Sequence, residues 1–348
     1  MRISLMLATF LLPPAAQAFN PNGLQFSHND WELACDNTGT CRAAGYYAES
    51  EADLAISILL TRQAGPQTSV SAQVMLGEYG ENPVLAKLPA KFSLAMKVNG
   101  KPYGQVPIGK DSLVADLAPN QVSALLAALP HHAKVEFTGK HDTWRVSDSG
   151  AAAVLLKMDE YQGRLGTPGA LVRKGSAQES SVPAAAAPLI ITRAAYAKAQ
   201  PGDESFVQTH KMALLEALRT TVKDQNCDDL TSGGETEPDL AGERLDASHM
   251  LVSTRCWMAA YNSGSGYWVV NQAPPFNPVL VSTDISDASQ GELSESHKGR
   301  GLGDCWSTRA FTWDGRQFRL SAASTTGMCR LMAAGGAWAL PTVVSKVR

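Results

Sequence analysis

Six cysteines, Cys35, Cys41, Cys227, Cys256, Cys305 and Cys329, follow a short apolar leader, and no other feature of the chain constrains its fold as much. The leader reads Met1-Arg2, an apolar run over residues 3–12, Pro13-Pro14 and the small-residue exit Ala16-Gln17-Ala18. That is the pattern of a secretory signal peptide covering residues 1–18 and cut before Phe19. The apolar run is too short for a membrane span, which needs roughly 20 residues. No cysteine follows the cut, so a lipid anchor is not expected, and no later segment reads as transmembrane. An even number of cysteines in an oxidising compartment pairs into disulfides. Sequence proximity pairs Cys35 with Cys41 across a turn-forming stretch, Cys227 with Cys256, and Cys305 with Cys329. A metal site is not expected, because CxxC and zinc-type histidine spacing are both lacking.

The formal net charge of −3 becomes −4 once Arg2 leaves with the leader, which gives no electrostatic case for nucleic acid or anionic membranes. The mature length exceeds what one core usually organises, so two domains are expected. Residues 19–174 form the first: 55–61, 69–76 and 92–98 read as strands, and Asn99-Gly100 is a two-residue hairpin signal. Pro119 opens a helix that Pro130 ends, with Val122, Leu125, Leu126 and Leu129 on one face, and a second helix is expected over 151–164. Residues 175–188, rich in Ser, Ala and Pro, read as a linker. The second domain, 189–348, opens with an amphipathic helix over 204–223, and 233–239 reads as an exposed acidic loop. Within it, Asp314-Gly315 is expected to turn a hairpin with Phe311 opposite Phe318 and with Phe311, Trp313 and Phe318 on one core face. The expected fold class is mainly β with a few helices, an α+β arrangement of two antiparallel bodies.

The densest run of chemistry-bearing side chains is 282–306, with Asp284, His297, Lys298, Arg300 and Asp304. A Ser, His and Asp could there act as nucleophile, base and orienter, but no nucleophile elbow is present, so a catalytic set is not assigned. Gly299, Gly301 and Gly303 alternate with Arg300 and Leu302, which fits neither a dinucleotide fingerprint nor a phosphate loop. A tight turn presenting Lys298 and Arg300 to a carboxylate or phosphate is expected instead, over an exposed loop from His297 to Trp306. Five tryptophans, Trp257, Trp268, Trp306, Trp313 and Trp338, fall in the second domain, mostly as core. Tyr261 and Tyr267 flank a glycine-serine stretch read as a loop and are the aromatic pair expected to meet a ligand. His131 and His132 read as a solvated helix end rather than metal ligands.

The stretch 31–46, opening Trp31-Glu32-Leu33-Ala34-Cys35 and closing Gly45-Tyr46, resembles an uncharacterised bacterial family, domain of unknown function 1176. So do Ser296-His297-Lys298-Gly299-Arg300-Gly301-Leu302-Gly303-Asp304-Cys305-Trp306, Thr325-Thr326-Gly327-Met328-Cys329-Arg330 and Trp338-Ala339-Leu340-Pro341-Thr342. The resemblance implies a periplasmic location and transfers no catalytic residue. Residues 31–175 are also similar, in order of features, to invasion-associated locus B proteins. The functional expectation is a periplasmic, cofactor-free module that binds an envelope glycan, another envelope component or a protein through His297, Lys298, Arg300, Tyr261 and Tyr267. A hydrolase using His297 with Asp304 or Asp284 is the alternative, and a structural part of an envelope assembly, marked by an apolar surface patch, is a third.

Overall fold

The computed structural model describes residues 19–49, 54–80, 82–232 and 238–348. The leader lies outside these, as does most of the acidic loop expected over 233–239. Six antiparallel strands form the first sheet in the order Leu24–His28, Trp31–Cys35, Cys41–Tyr46, Ile56–Arg62, Val70–Leu76 and Val114–Asp116. Its inner strands are buried almost continuously, because both faces are covered. A second sheet of Thr143–Val146, Val135–Thr138, Lys91–Val98 and Lys101–Gly109 shares its core, where Trp31, Tyr46, Phe137 and Trp144 meet. Asn99 and Gly100 take φ of 51° and 78° with Val98 opposite Lys101, the two-residue primed turn that matches strand twist.

Helix Pro119–Ala128 starts on its proline, and helix Ala151–Tyr161 packs Val154, Leu155 and Met158 into the same core. The second helix stops short of Arg164. Gly163 adopts φ of 66°, and the amide of Arg164 donates back to the Asp159 carbonyl at 2.8 Å. That turn swings the Arg164 side chain inward, where its guanidinium donates to the Gly65 carbonyl and Thr68 Oγ1, each at 2.6 Å. The same guanidinium pairs with Glu179, and Val182 is buried, so the stretch 175–188 lies against the first sheet.

In the second half, helix Asp203–Arg219 buries Val207, Leu214, Leu215 and Leu218 against a four-stranded sheet of Ala241–Arg244, His249–Met258, Ser263–Asn271 and Val279–Ile285. A five-stranded sheet follows: Asp287–Ser289, Glu292–Lys298, Trp306–Trp313, Phe318–Thr325 and Leu340–Val343. Three expectations are corrected here. Phe311 faces Leu320 and Trp313 faces Phe318, two residues off the expected register. The side chain of Asp314 accepts from the amides of Arg316 and Gln317, which draws the turn onto Gly315-Arg316. A shift of two keeps side-chain parity, so Phe311, Trp313 and Phe318 still share one apolar cluster. The stretch after Tyr261 is a strand from Ser263, not a loop. Its glycines make room for rings: a Cβ on Gly264 would stand 2.4 Å from the Trp257 indole nitrogen, and one on Gly266 would stand 2.1 Å from the Trp268 ring. Finally, His297 and Lys298 end a strand, pairing with Ser307 and Trp306, so the loop is confined to Gly299–Cys305.

The chain then returns to its beginning. After Thr325, residues 326–344 run across the first sheet, where Met332, Trp338 and Leu340 join the apolar core of Trp31 and Tyr46. The Trp338 indole donates to Ser57 Oγ at 2.8 Å, and Asn37 exchanges hydrogen bonds with Val344 at 2.7 and 3.1 Å.

The three disulfides are Cys35–Cys41, Cys227–Cys256 and Cys305–Cys329. They close loops with sequence separations of 6, 29 and 24. Loop-closure entropy assigns about 2 kcal/mol to the first and about 3.5 kcal/mol to each of the others. Replacing each pair by alanine should therefore lower the denaturant midpoint least for Cys35–Cys41. A larger loss there than at either other pair would show that packing, not chain entropy, sets the order.

Candidate functional site

The side chains singled out in the sequence do not converge on one point. Tyr267 sits mid-strand beside Tyr196 and Leu251 in an apolar cluster, away from Tyr261. Tyr261 is 47% exposed and lies over the glycine loop, 3.5 Å from where a Cβ of Gly301 would stand. Asn262 fastens that contact: its side chain accepts from the Lys298 amide at 3.0 Å and donates to the Lys298 carbonyl at 2.9 Å. Lys298 Nζ rests 5.5 Å from the centre of the Trp306 ring.

Arg300 is committed within the protein. Its Nε and Nη2 donate to the two oxygens of Asp304 at 2.8 and 2.6 Å, and Asp304 is fully buried. The Leu331 amide takes the same carboxylate at 2.8 Å. The guanidinium therefore holds the Asp304 carboxyl below its ordinary pKa range, and Asp304 in turn raises that of Arg300. His297 packs edge-on against Trp257 with ring centres 5.4 Å apart, and its Nε2 is buried without a hydrogen bond. Asp284 accepts from the Trp257 indole at 2.9 Å. Neither acid is hydrogen-bonded to His297, so the arrangement lacks the base-orienter contact that a hydrolytic set requires. His131 and His132 are both exposed.

Asp304, Cys305 and Cys329 place one ligand-type atom each within 4.8 Å of one another. Both sulfurs are joined in a disulfide and both Asp304 oxygens are engaged, so the cluster in this state has no donor left for a cation.

What the sequence reading missed is a cleft of about 400 Å³ where the returning segment meets the first sheet. Phe26, Glu32, Trp306, Gly327 and the Cys305–Cys329 disulfide line it. Glu32 belongs to strand Trp31–Cys35, whose other residues are all buried and apolar or disulfide-bonded. Its Oε1 accepts from the Tyr46 hydroxyl and from the Met328 amide, each at 2.6 Å, while Oε2 has no hydrogen bond among the described residues. Burial raises its carboxyl above the ordinary range, outweighing those hydrogen bonds and the more distant Arg330 charge. Burial likewise raises the Tyr46 hydroxyl, with Glu32 adding to it. Gly327 is obligatory: its φ is 95°, and a Cβ there would lie 2.2 Å from the Tyr46 oxygen. A lone acid inside an otherwise apolar strand was the available signal. A second hollow of about 470 Å³ shares Gln25, Ser307 and Thr325 with the cleft and extends it past Asn22, Arg309 and Ser324.

Fold and cleft together define a mostly β, disulfide-stapled protein whose stretches 31–46, 296–306 and 325–330 meet around one concave surface. The chain belongs to the family described as Protein of unknown function (DUF1176), which it matches over residues 25–345. It is 24% identical over 358 residues to the Escherichia coli (strain K12) protein described as uncharacterized protein YpfG, with 97% of each chain covered. No solved structure matches it. Similarity to the invasion-associated locus B proteins is not shown. Among the described residues, no helix is long and apolar enough to cross a membrane.

Arg300→Ala strands a buried carboxylate, a loss of about 3–5 kcal/mol for a fully buried pair. Because Arg300 is 37% exposed, we expect about 2 kcal/mol instead. The sign with pH follows from the lowered folded pKa of Asp304. The pair's contribution is present above the unfolded pKa of about 3.9 and is lost as pH falls through the lower folded value. Urea melts of wild type and Arg300→Ala should converge in acid; an equal gap at all pH values would exclude the ionic role.

Proposed function

We propose that this is an exported envelope protein that binds a glycan in the cleft between its first and second β bodies, residues 19–174 and 189–348. The leader pattern and three disulfides support export to the periplasm. The observation that carries the binding reading is the pairing of Glu32, which has one oxygen uncommitted, with the rings of Phe26 and Trp306 in a single cleft. Sugar rings stack on flat aromatic faces while their hydroxyls find acceptors and donors at the edge. Beyond the cleft, Gln25, Ser307, Ser324 and Thr325 line the extension, which gives a chain of sugars successive neutral partners. Both hollows fall within the range of about 300–1,000 Å³ typical of ligand sites.

Hydrolysis is the weaker reading. Enzymes that cleave glycosidic bonds set two carboxyl groups about 5–10 Å apart across the bond. Glu32 is the one carboxylate among the residues lining this cleft. Tyr261, Lys298 and the glycine loop form the outer rim in this reading, and Arg300 holds that rim in shape.

Titration calorimetry with soluble neutral and amino-sugar oligosaccharides tests the proposal. Trp306→Ala should lower affinity by about 2 kcal/mol through lost ring contact. Glu32→Gln should weaken the amino-sugar complexes most, yet leave thermal stability at neutral pH unchanged or raised. The folded pKa of Glu32 is raised, so the carboxyl favours folding only when protonated, and that contribution is lost as pH rises through the folded value. Capture of a protein partner by both variants, with no sugar bound by wild type, would overturn the glycan reading.

A further inference from the structure

The three disulfides differ in what can reach them. Both cysteines of Cys35–Cys41 and of Cys227–Cys256 are 0% exposed and sealed in apolar cores. Cys305–Cys329 instead forms part of the cleft wall, with Cys329 partly exposed. Exposed Gly299 lies against it: a Cβ there would stand 2.6 Å from Cys305 Sγ and 3.0 Å from Cys329 Sγ. A side chain at that position would crowd the sulfurs, whereas glycine leaves their approach bare. Thiol–disulfide exchange requires a thiolate to reach a sulfur, so access ranks this pair first.

We propose that Cys305–Cys329 is a thiol–disulfide exchange site, entered through the cleft and reduced by a dithiol. One thiolate of the dithiol attacks Cys329 Sγ. A mixed disulfide forms as the Cys305–Cys329 bond breaks, and Cys305 leaves as a thiolate that takes up a proton. The second thiol of the dithiol loses its proton and attacks its own bridged sulfur, releasing Cys329 as a thiolate that is protonated in turn. Two electrons pass to this chain, and the reductant departs as a disulfide.

The position of the bond gives exchange a structural consequence. Cys305 directly precedes strand Trp306–Trp313, whereas Cys329 lies in the segment held on the first sheet by Met328 to Glu32 and by Arg330 to Asp30 at 2.8 Å. Breaking the disulfide removes the covalent link between these two anchors. The hydrogen bonds joining Trp306 and Thr326, at 2.8 and 2.9 Å, remain. The cleft wall therefore loosens around Trp306 without coming apart. This site does not depend on what the cleft binds.

The test treats the native, fully oxidised protein with increasing dithiothreitol, quenches with iodoacetamide and maps the labelled peptides by mass spectrometry. Cys305 and Cys329 should label faster than the other four cysteines by roughly tenfold or more, at a rate rising in proportion to dithiothreitol. Earlier labelling of either other pair, or a rate that levels off at the global unfolding rate of the same protein, would overturn the site. Reduced wild type should also show a shifted tryptophan emission that the Cys305→Ser/Cys329→Ser double variant reproduces and Trp306→Phe removes. Emission unchanged on reduction would overturn the loosening of the cleft.

Discussion

The return of residues 326–344 onto the first sheet is the constraint from which the rest of the arrangement follows. Met332, Trp338 and Leu340 contribute apolar burial, while the Met328 amide, the Leu331 amide and the Trp338 indole each find a partner fixed elsewhere in the chain. Those partners, Glu32, Asp304 and Ser57, come from segments far apart in sequence, so one backbone path sets three positions at once. The apolar contacts supply the free energy, and the hydrogen bonds select the register, because a misplaced buried amide costs about 1–3 kcal/mol. The cleft is what remains between this segment and the edge strand Leu24–His28.

A second buried polar system governs the far side of the first sheet. Arg164 ties the 63–68 turn, Gln162 and Glu179 together, and Asp159 caps the amides of Leu171 and Val172 at 2.7 and 2.9 Å. Arg62 faces Asp159 across 3.7 Å, with Nη1 of the one and Oδ1 of the other lacking a hydrogen bond. Burial pushes the Arg62 guanidinium down to about 10 and the Asp159 carboxyl up, outweighing their mutual attraction. Such a pair adds little net stability over apolar packing, but it penalises every arrangement that would leave one charge alone.

The glycines show why local signals misplace a site. Gly264 and Gly266 read as a loop by composition, yet they stand in a strand because the Trp257 and Trp268 rings occupy the space a side chain would need. Gly299 is open for a different reason, the disulfide beside it, and Gly327 for a third, the Tyr46 hydroxyl. Glycine marks a close approach in each case, but the approaching group lies from 2 to almost 300 positions away in the chain.

The mainly β class, the Asn99-Gly100 turn, the Pro119 helix start and the three disulfides were legible in the sequence, since the turn and helix signals are local and each cysteine pairs with its neighbour in chain order, 6 to 29 positions away. Lys298 adjoins the glycine loop in sequence, whereas Tyr261 reaches it only through a tertiary contact that Asn262 fastens to Lys298. The free charge assumed for Arg300 was not there, because its partner Asp304, although only four positions on, is turned inward by the Leu331 amide of the returning segment. Glu32 was passed over altogether. Its carboxylate is held at the cleft wall because Tyr46 and Met328 converge on one of its oxygens, and that convergence depends on contacts spanning 14 and 296 positions. Local propensity carries no information about such closures; packing of the apolar core decides them.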